Sequence, residues 1–259
     1  MIWPTVAALG SGGLVGLSLG LIGGGGSILA TPLLLYVVGI SQPHVAIGTS
    51  ALAVSANAYA NLIGHARSGN VRWLWASVFA IIGTFGALVG STAGKLVNGN
   101  HLLFLFGIVM LVVGALMLVP RKPPAAGERK PAVRTCGFTA LVASGVGIAS
   151  GFFGIGGGFL IVPGLILATR MPMINAVGSS LLAVGTFGLA TAVNYTLSGF
   201  VDWQVATEFI AGGVIGGISG RALANRLACR KNSLDRTFVA IIFVVAAYML
   251  CRTGQSLFS

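Results

Sequence analysis

Apolar segments follow one another along nearly the whole of this chain. Eight of them have the roughly 17–25 residues that a helix needs to cross the hydrocarbon core of a bilayer, whereas two have only about twelve. The ten segments are 5–22, 28–39, 44–65, 72–94, 101–120, 135–152, 159–170, 174–197, 203–223 and 237–252. This pattern predicts an all-α polytopic membrane protein with eight long transmembrane helices and two short segments, 28–39 and 159–170.

Composition supports a protein embedded in the lipid bilayer and narrows its partners. Of 259 residues 56% are hydrophobic and 7% are charged, with 15 Lys and Arg against 4 Asp and Glu. No aromatic and basic surface pattern accompanies the excess of bases, so nucleic acid is not an expected partner. Orientation in the bilayer explains this excess better, because basic residues collect on the cytoplasmic side of a membrane protein.

The second half of the chain repeats the first. The matching stretches are GLIGGGGSILATP at 20–32 with GFFGIGGGFLIVP at 151–163, GTSALAV at 48–54 with GSSLLAV at 178–184, and GNVRW at 69–73 with GFVDW at 199–203. The copies stay 130 or 131 residues apart, and the matching Pro, Ser and Trp keep this register. We therefore expect a first transmembrane repeat at 1–120, a basic cytoplasmic linker at 121–134 and a second repeat at 135–259.

The distribution of bases predicts that the second repeat is inverted. If all ten segments cross, both termini lie outside, and 13 of the 15 bases are cytoplasmic while Lys95 and Arg252 lie outside. If the two short segments enter and return on the same side, the best split is eight against seven, so crossing is favoured. Five crossings per repeat is an odd number, which turns the second copy upside down, as in many secondary transporters.

Each short segment follows a run of glycines, at 23–27 and at 154–158. Glycine accepts backbone angles that other residues avoid, and successive exposed N–H groups at a helix start can bind an anion. In an inverted pair the two runs enter the bilayer from opposite sides, so we expect them to face each other and to line a binding site. The alternative is that these glycines only let helices pack closely.

Together these motifs resemble the TauE/SafE family of membrane permeases, often called sulfite exporters. The resemblance covers nearly the whole chain, and the family motif falls on Gly23, Gly25, Gly26, Pro32, Gly48, Ser50 and Trp73, and again on Gly154, Gly156, Gly157, Pro163, Gly178, Ser180 and Trp203. It implies export of a small anion, sulfite or an organosulfur anion, across the cytoplasmic (inner) membrane of a prokaryote. Uptake of such an anion and passive conduction through a channel of the same fold stay open as alternatives.

The polar residues of the spans suit an anion rather than a cation. Of the four acids only Glu208 lies within a segment, which argues against a pathway built from carboxylates. The predicted substrate-binding residues are backbone, hydroxyl and amide donors of both repeats: Gly24, Gly25, Gly26, Ser27, Thr49, Ser50, Asn57, Asn61, Gly156, Gly157, Gly158, Ser179, Ser180, Asn194 and Tyr195. For any single hydroxyl the alternative is a hydrogen bond to its own helix or to a neighbouring one.

Three titratable residues are candidates for coupling or gating. His65 and Arg67 end the third segment, where they could guide an anion or take up a proton, or only anchor the helix at the interface. Glu208 could take up a proton or simply reach the outer interface. We interpret Arg221, by contrast, as the residue that ends a closely packed glycine-rich helix at the cytoplasmic surface.

An enzyme is not expected from this sequence. The three His and four acids are scattered singly, and they form neither a nucleophile with its base nor a cluster of metal ligands. We therefore predict no catalytic residue, no metal and no cofactor. The sequence leaves open whether the chain forms a homo-oligomer.

Overall fold

The computed structural model describes residues 2–118, 133–154, 156–226 and 242–253, and every regular element in these ranges is helical. The helices are α1 (Ile2–Ile22), α2 (Ala30–Leu33), α3 (Pro43–Arg67), α4 (Trp73–Leu96), α5 (Gly99–Leu118), α6 (Val133–Phe153), α7 (Gly158–Thr169), α8 (Met173–Thr196), α9 (Trp203–Arg226) and α10 (Ile242–Thr253). A 3-10 helix, Gly23–Leu29, precedes α2, and a π-helix, Leu34–Val38, follows it. The predicted linker up to residue 132 and the start of the tenth segment lie outside the described residues.

Length and apolarity identify fewer long spans than expected. Four helices in the described part qualify, namely Trp3–Leu21, Trp73–Leu96, Thr135–Phe153 and Met173–Thr196. Four shorter apolar helices are Gly26–Val38, Gly99–Val112, Gly158–Thr169 and Ile242–Thr253. α3 has 25 residues but is in neither group, because it buries hydroxyl, amide and imidazole groups that lower its hydropathy. The all-helical fold is confirmed, whereas the count of eight long apolar spans is not.

The two glycine runs differ in backbone conformation. The first is helical, since Gly23–Leu29 forms the 3-10 helix, in which Gly23 has a positive φ, of 75°. In the second run Gly154, Gly156 and Gly157 have φ values of 66°, 65° and 62°, so the chain leaves the helical conformation there. The expectation of an interruption between helices therefore fits the second run better than the first.

α1 packs lengthwise on α9 through glycine. Gly16 approaches the backbone of Gly213 so closely that a methyl group on Gly16 would overlap it. One turn later Gly20 meets Gly217 in the same way. Because the paired numbers rise together, the two helices run in the same direction.

α4 and α6 form a second close pair, which matches the pair of α9 and α1 in the sequence repeat. Gly147 meets the backbone of Gly83 without room for a methyl group. Gly151 meets Ala87 one turn later. These helices also run in the same direction, and their contacts fall at the positions that the sequence repeat matches to those of α1 and α9.

The central helices α3 and α8 cross the interior in opposite directions. The Ser55 hydroxyl of α3 donates a hydrogen bond to the Gly185 carbonyl at 2.7 Å. Gly48, earlier in α3, lies against Tyr195, which is later in α8. α3 also packs on α9 and α8 on α4, each with rising numbers, so α1, α3 and α9 run one way and α4, α6 and α8 run the other way.

Contacts between the halves occur in matching pairs. The Phe200 carbonyl approaches Gly48 too closely for a methyl group on that glycine, and the Asn70 carbonyl likewise approaches Gly178. In the sequence repeat Gly48 matches Gly178, and Asn70 matches Phe200. Each half thus supplies to the other a contact at the position that matches the one it receives.

Candidate functional site

The two glycine runs meet in the interior. Gly24 of the 3-10 helix and Gly158 at the start of α7 lie so close that a Cβ on either would overlap the backbone of the other. Both glycines are buried. The fold therefore brings the runs of the two halves together. In this conformation they pack tightly, as expected if the glycines only let helices pack closely.

Each glycine run is held by the central helix of the other half. Gly23 packs against Val177 of α8, and Gly154 packs against Ile47 of α3. Ile47 and Val177 are matching positions of the repeat. Both glycines have positive φ, which a residue with a side chain adopts only with strain.

Gly156 lies between the central helices α3 and α8. A Cβ there would stand 3.2 Å from a methyl group of Val54 and 3.4 Å from one of Val184. These valines are matching positions of α3 and α8. Gly157, with φ of 62°, then precedes α7 and lets the helix start at Gly158.

Two predicted binding hydroxyls anchor helix starts in the opposite half. The Thr49 hydroxyl accepts a hydrogen bond from the Asp202 N–H at 3.0 Å, just before α9. The Ser179 hydroxyl accepts one from the Arg72 N–H at 2.9 Å, just before α4. Because the first N–H groups of a helix lack partners within the helix, this exchange fixes the starts of α4 and α9. A structural role in hydrogen bonding, the alternative to substrate binding, accounts for both hydroxyls.

Three further predicted serines bond within their own segments. Ser50 donates to the Ile47 carbonyl at 2.9 Å, Ser180 to the Val177 carbonyl at 2.8 Å, and Ser27 to the Gly24 carbonyl at 2.8 Å. All three serines are buried, and the Ser50 and Thr31 hydroxyls lie 2.9 Å apart. Because these hydroxyls already have partners, a ligand would have to replace those hydrogen bonds. Their binding role stays a prediction.

The predicted amides of α3 lie on a different surface, against α9. Asn57 touches Gly213 and Asn61 touches Gly217, where a methyl group on either glycine would collide with the amide. Further along, the Arg221 guanidinium lies on Gly64. Both polar atoms of the Asn57 side chain and the Asn61 Oδ1 are buried and have no hydrogen-bond partner among the described residues.

His65 belongs to the same surface, which we call the α3–α9 column and define as Asn57, Asn61, His65 and Arg221. His65 is buried, and neither ring nitrogen has a hydrogen-bond partner within the described ranges. The Arg221 charge lies near enough to act on the imidazole. The sequence pointed to three of these four residues but interpreted Arg221 as the end of a packed helix, which is wrong because α9 continues to Arg226.

Asn194 lies apart from this column, in a group that we call the α4–α8 cluster. The Lys95 amine donates to the Asn194 side-chain oxygen at 2.7 Å, to its carbonyl at 3.1 Å and to the Ser198 hydroxyl at 2.9 Å. The Asn194 amide donates to the hydroxyls of Ser91 at 2.6 Å and Thr92 at 3.0 Å. The sequence predicted only Asn194 of this cluster, since the members come from segments about 100 residues apart.

The remaining candidates are separate from both groups. Tyr195 is fully buried beside His44 and Phe200, with its hydroxyl unpartnered in the described structure. Arg67 is exposed. The Glu208 carboxylate accepts hydrogen bonds from Thr5 at 3.1 Å and Gln204 at 3.3 Å near the start of α9. Within the described ranges no three His, Cys, Asp or Glu side chains are grouped so that they could hold a metal ion.

Comparison with known proteins places the chain. A probable membrane transporter protein of Xylella fastidiosa (strain 9a5c) is 59% identical over 99% of this chain and 98% of its own length. The probable membrane transporter protein YunE of Bacillus subtilis is 29% identical over 90% of each chain. No solved structure matches. The family model described as Sulfite exporter TauE/SafE matches residues 8–249, and this chain therefore belongs to the TauE/SafE family of membrane proteins.

Proposed function

We propose that the protein is a secondary transporter that exports a small anion, sulfite or an organosulfur anion, by alternating access, with the substrate bound between two inverted repeats. The observation that carries the proposal is the contact of Gly24 with Gly158, since it joins the glycine runs of both halves inside the protein. Transporter sites commonly lie at such a meeting of discontinuous helices. Membership of the family supports transport in general, and the nature of the cargo is our inference.

Helix directions support the inverted arrangement. α1 and α3 both run parallel to α9, so the chain between them, including α2, returns across the bilayer in our proposal rather than entering and leaving on one side. α6, which matches α1 in the repeat, runs with α4 and α8 in the opposite direction. Both termini then lie outside, with the bases after α3 and α9 facing the cytoplasm.

The packing also suggests which bodies move. α1, α3 and α9 form one parallel bundle, and α4, α6 and α8 form the other, so each bundle contains helices of both repeats. Within each bundle the helices pack through close glycine contacts, and the two bundles meet along α3 and α8 and at the glycine runs. Rocking at this boundary would separate Gly24 from Gly158 and open the runs to one side and then to the other.

Flux in proteoliposomes tests the function. Purified protein in vesicles loaded with ³⁵S-sulfite is exposed to imposed pH and voltage gradients, with sulfate, thiosulfate, sulfoacetate and acetate as competitors. We expect saturable flux that unlabelled substrate on the opposite side accelerates, which is the mark of a carrier. Flux that does not saturate would indicate a channel, flux driven only inward would indicate an importer, and absence of flux for the whole panel would contradict anion transport.

A further inference from the structure

Three residues of the α3–α9 column are buried, and most of their side-chain polar atoms lack hydrogen-bond partners among the described residues, although the Asn61 amide donates to the Asn57 backbone carbonyl at 2.9 Å. Asn57 is 0% exposed, Asn61 is 1% exposed and His65 is 9% exposed. Two amide atoms of Asn57, one of Asn61 and both nitrogens of His65 have no hydrogen-bond partner in the part of the chain that the structure describes. Because a buried polar group without a partner costs about 1–3 kcal/mol, several on one helix face call for an explanation.

Arg221 adds a positive charge to this column. Its Nε is buried without a partner among the described residues, and its guanidinium lies on Gly64, where any side chain would displace it. Glu208 precedes it by 13 residues on the same helix, which is about 20 Å along the axis, so that carboxylate cannot neutralise it. A guanidinium in a partly buried position with amide and imidazole neighbours is suited to bind an oxyanion.

The column continues from the glycine runs. Gly156 contacts Val54, and Asn57 follows Val54 by three residues, or about 4.5 Å along α3. From Asn57 to His65 the column then extends about 12 Å along the helix toward the end that carries the exposed Arg67. Donors thus follow one another from the interior to one end of the protein.

The matching surface of the other bundle shows that neither the amide of Asn57 nor the charge of Arg221 is a requirement of the fold. In the repeat Asn57 matches Phe187, Gly64 matches Asn194 and Arg221 matches Ser91. There Phe187 fills the space against Gly83, and Asn194 bonds Ser91 at 2.6 Å. The matching helix pair therefore has an aromatic ring and a bonded amide at two of these positions, while Thr191 and Tyr195, which match Asn61 and His65, have hydroxyls without partners in the described structure.

We infer that Asn57, Asn61, His65 and Arg221 bind the transported oxyanion in the half of the pathway between the glycine runs and the cytoplasmic end of α3, and that Arg221 selects for negative charge. This inference rests on the proposed function and deepens it, since it gives the substrate a second position besides the glycine runs. Arg221 is then a binding residue rather than the end of a packing surface.

Sulfite binding to purified protein in dodecyl maltoside, measured by isothermal titration calorimetry, tests this role. Arg221→Gln should raise the Kd about 10- to 100-fold, because a charge-assisted hydrogen-bonding pair is lost. Arg221→Lys should lie between this variant and the wild type, since it keeps the charge but not the fork of donors. Gly64→Ala keeps the arginine and displaces its guanidinium, so it should also raise the Kd.

Arg252→Gln is the matched control, because it removes one positive charge from an exposed position whose hydrogen-bond partner is Tyr248. Its Kd should equal that of the wild type. Thermal unfolding and gel filtration check each variant, and Gly64→Ala and Arg221→Lys carry the test if Arg221→Gln does not fold. A wild-type Kd in the folded Arg221 and Gly64 variants would overturn the inference alone.

The arms also separate the sources of an anion and the two proposals. If Arg221→Gln binds sulfite normally and loses only the stimulation of sulfite flux by phosphatidylglycerol in vesicles, Arg221 binds a lipid headgroup and the inference is wrong. If the wild type binds and transports none of the panel of anions, the proposed function fails and the inference fails with it. If transport is intact and Arg221 is without effect, the function stands.

Discussion

The two bundles of parallel helices have similar helix contacts and different side chains at their packed surfaces. The contacts of α3 with α9 and of α8 with α4 fall at matching positions, yet Asn57 occupies one surface where Phe187 occupies the other. The α4–α8 cluster is satisfied by hydrogen bonds, although the Thr191 and Tyr195 hydroxyls nearby lack partners. The difference teaches that matching glycine contacts give the two bundles similar packing, while the polar side chains on the packed surfaces differ.

The largest effect is expected from making the apolar surface resemble the polar one. Phe187 is fully buried and its ring stacks on that of Phe79 at 6.3 Å. Phe187→Asn should lower the free energy of unfolding by roughly 3–5 kcal/mol, because it empties the space against Gly83 and buries an amide. Denaturation in detergent measures this, with Leu189→Ala, at an exposed position of the same helix, as control. A change below about 1 kcal/mol would mean that the surfaces are interchangeable.

The reverse change should separate stability from transport. Asn57→Leu removes two unpartnered polar atoms, so the free energy of unfolding should stay equal or rise by about 1–3 kcal/mol. Sulfite flux in proteoliposomes should nevertheless fall at least about tenfold, since an anion loses a donor. A destabilised variant with normal flux would assign Asn57 to structure.

Lys95 offers a test of the satisfied cluster. Lys95→Met deletes three hydrogen bonds to Asn194 and Ser198, so the free energy of unfolding should fall by about 1–3 kcal/mol, toward the lower end because the group is partly exposed. The sulfite Kd should stay within about twofold of the wild type. A loss of affinity as large as that of Arg221→Gln would move the binding site to this cluster.

The smallest effects concern the contacts that the two halves share. Thr49→Val and Ser179→Ala each remove the acceptor for one helix-start N–H, at Asp202 and at Arg72. Each should cost about 1 kcal/mol of unfolding free energy, and the two costs should agree because the contacts match. If either variant keeps its stability and loses transport, that hydroxyl binds substrate instead.

Prediction from sequence succeeded where the signal is periodic or repeated. Helices, their approximate ends and the family follow from the apolar segments and from motifs such as GTSALAV and GSSLLAV. It was less successful at the first glycine run, which was expected to interrupt the helix and is a 3-10 helix instead. Glycine permits either conformation, and the choice depends on Gly158 and Val177, which lie far away in the chain.

The candidate site shows the same division. Thr49, Ser50 and Asn57 are all polar residues of one segment, and the sequence treated them alike. The fold gives the Thr49 and Ser50 hydroxyls hydrogen-bond partners and leaves the Asn57 side chain with none in the described part of the chain. Arg221 was assigned to packing for the same reason, since its position over Gly64 depends on how α3 and α9 meet.

By itself the sequence determined the class of protein, the repeat and the pattern of charge at the helix ends, because hydrophobic length and basic loops act locally on insertion into a bilayer. Only the tertiary structure decided which glycines touch and which polar groups go without partners. Those properties depend on side chains brought together from positions more than 100 residues apart, such as Asn57 with Gly213 and Lys95 with Ser198. Whether a buried polar group has a hydrogen-bond partner depends on all of its neighbours in space, and no single segment of the sequence specifies them.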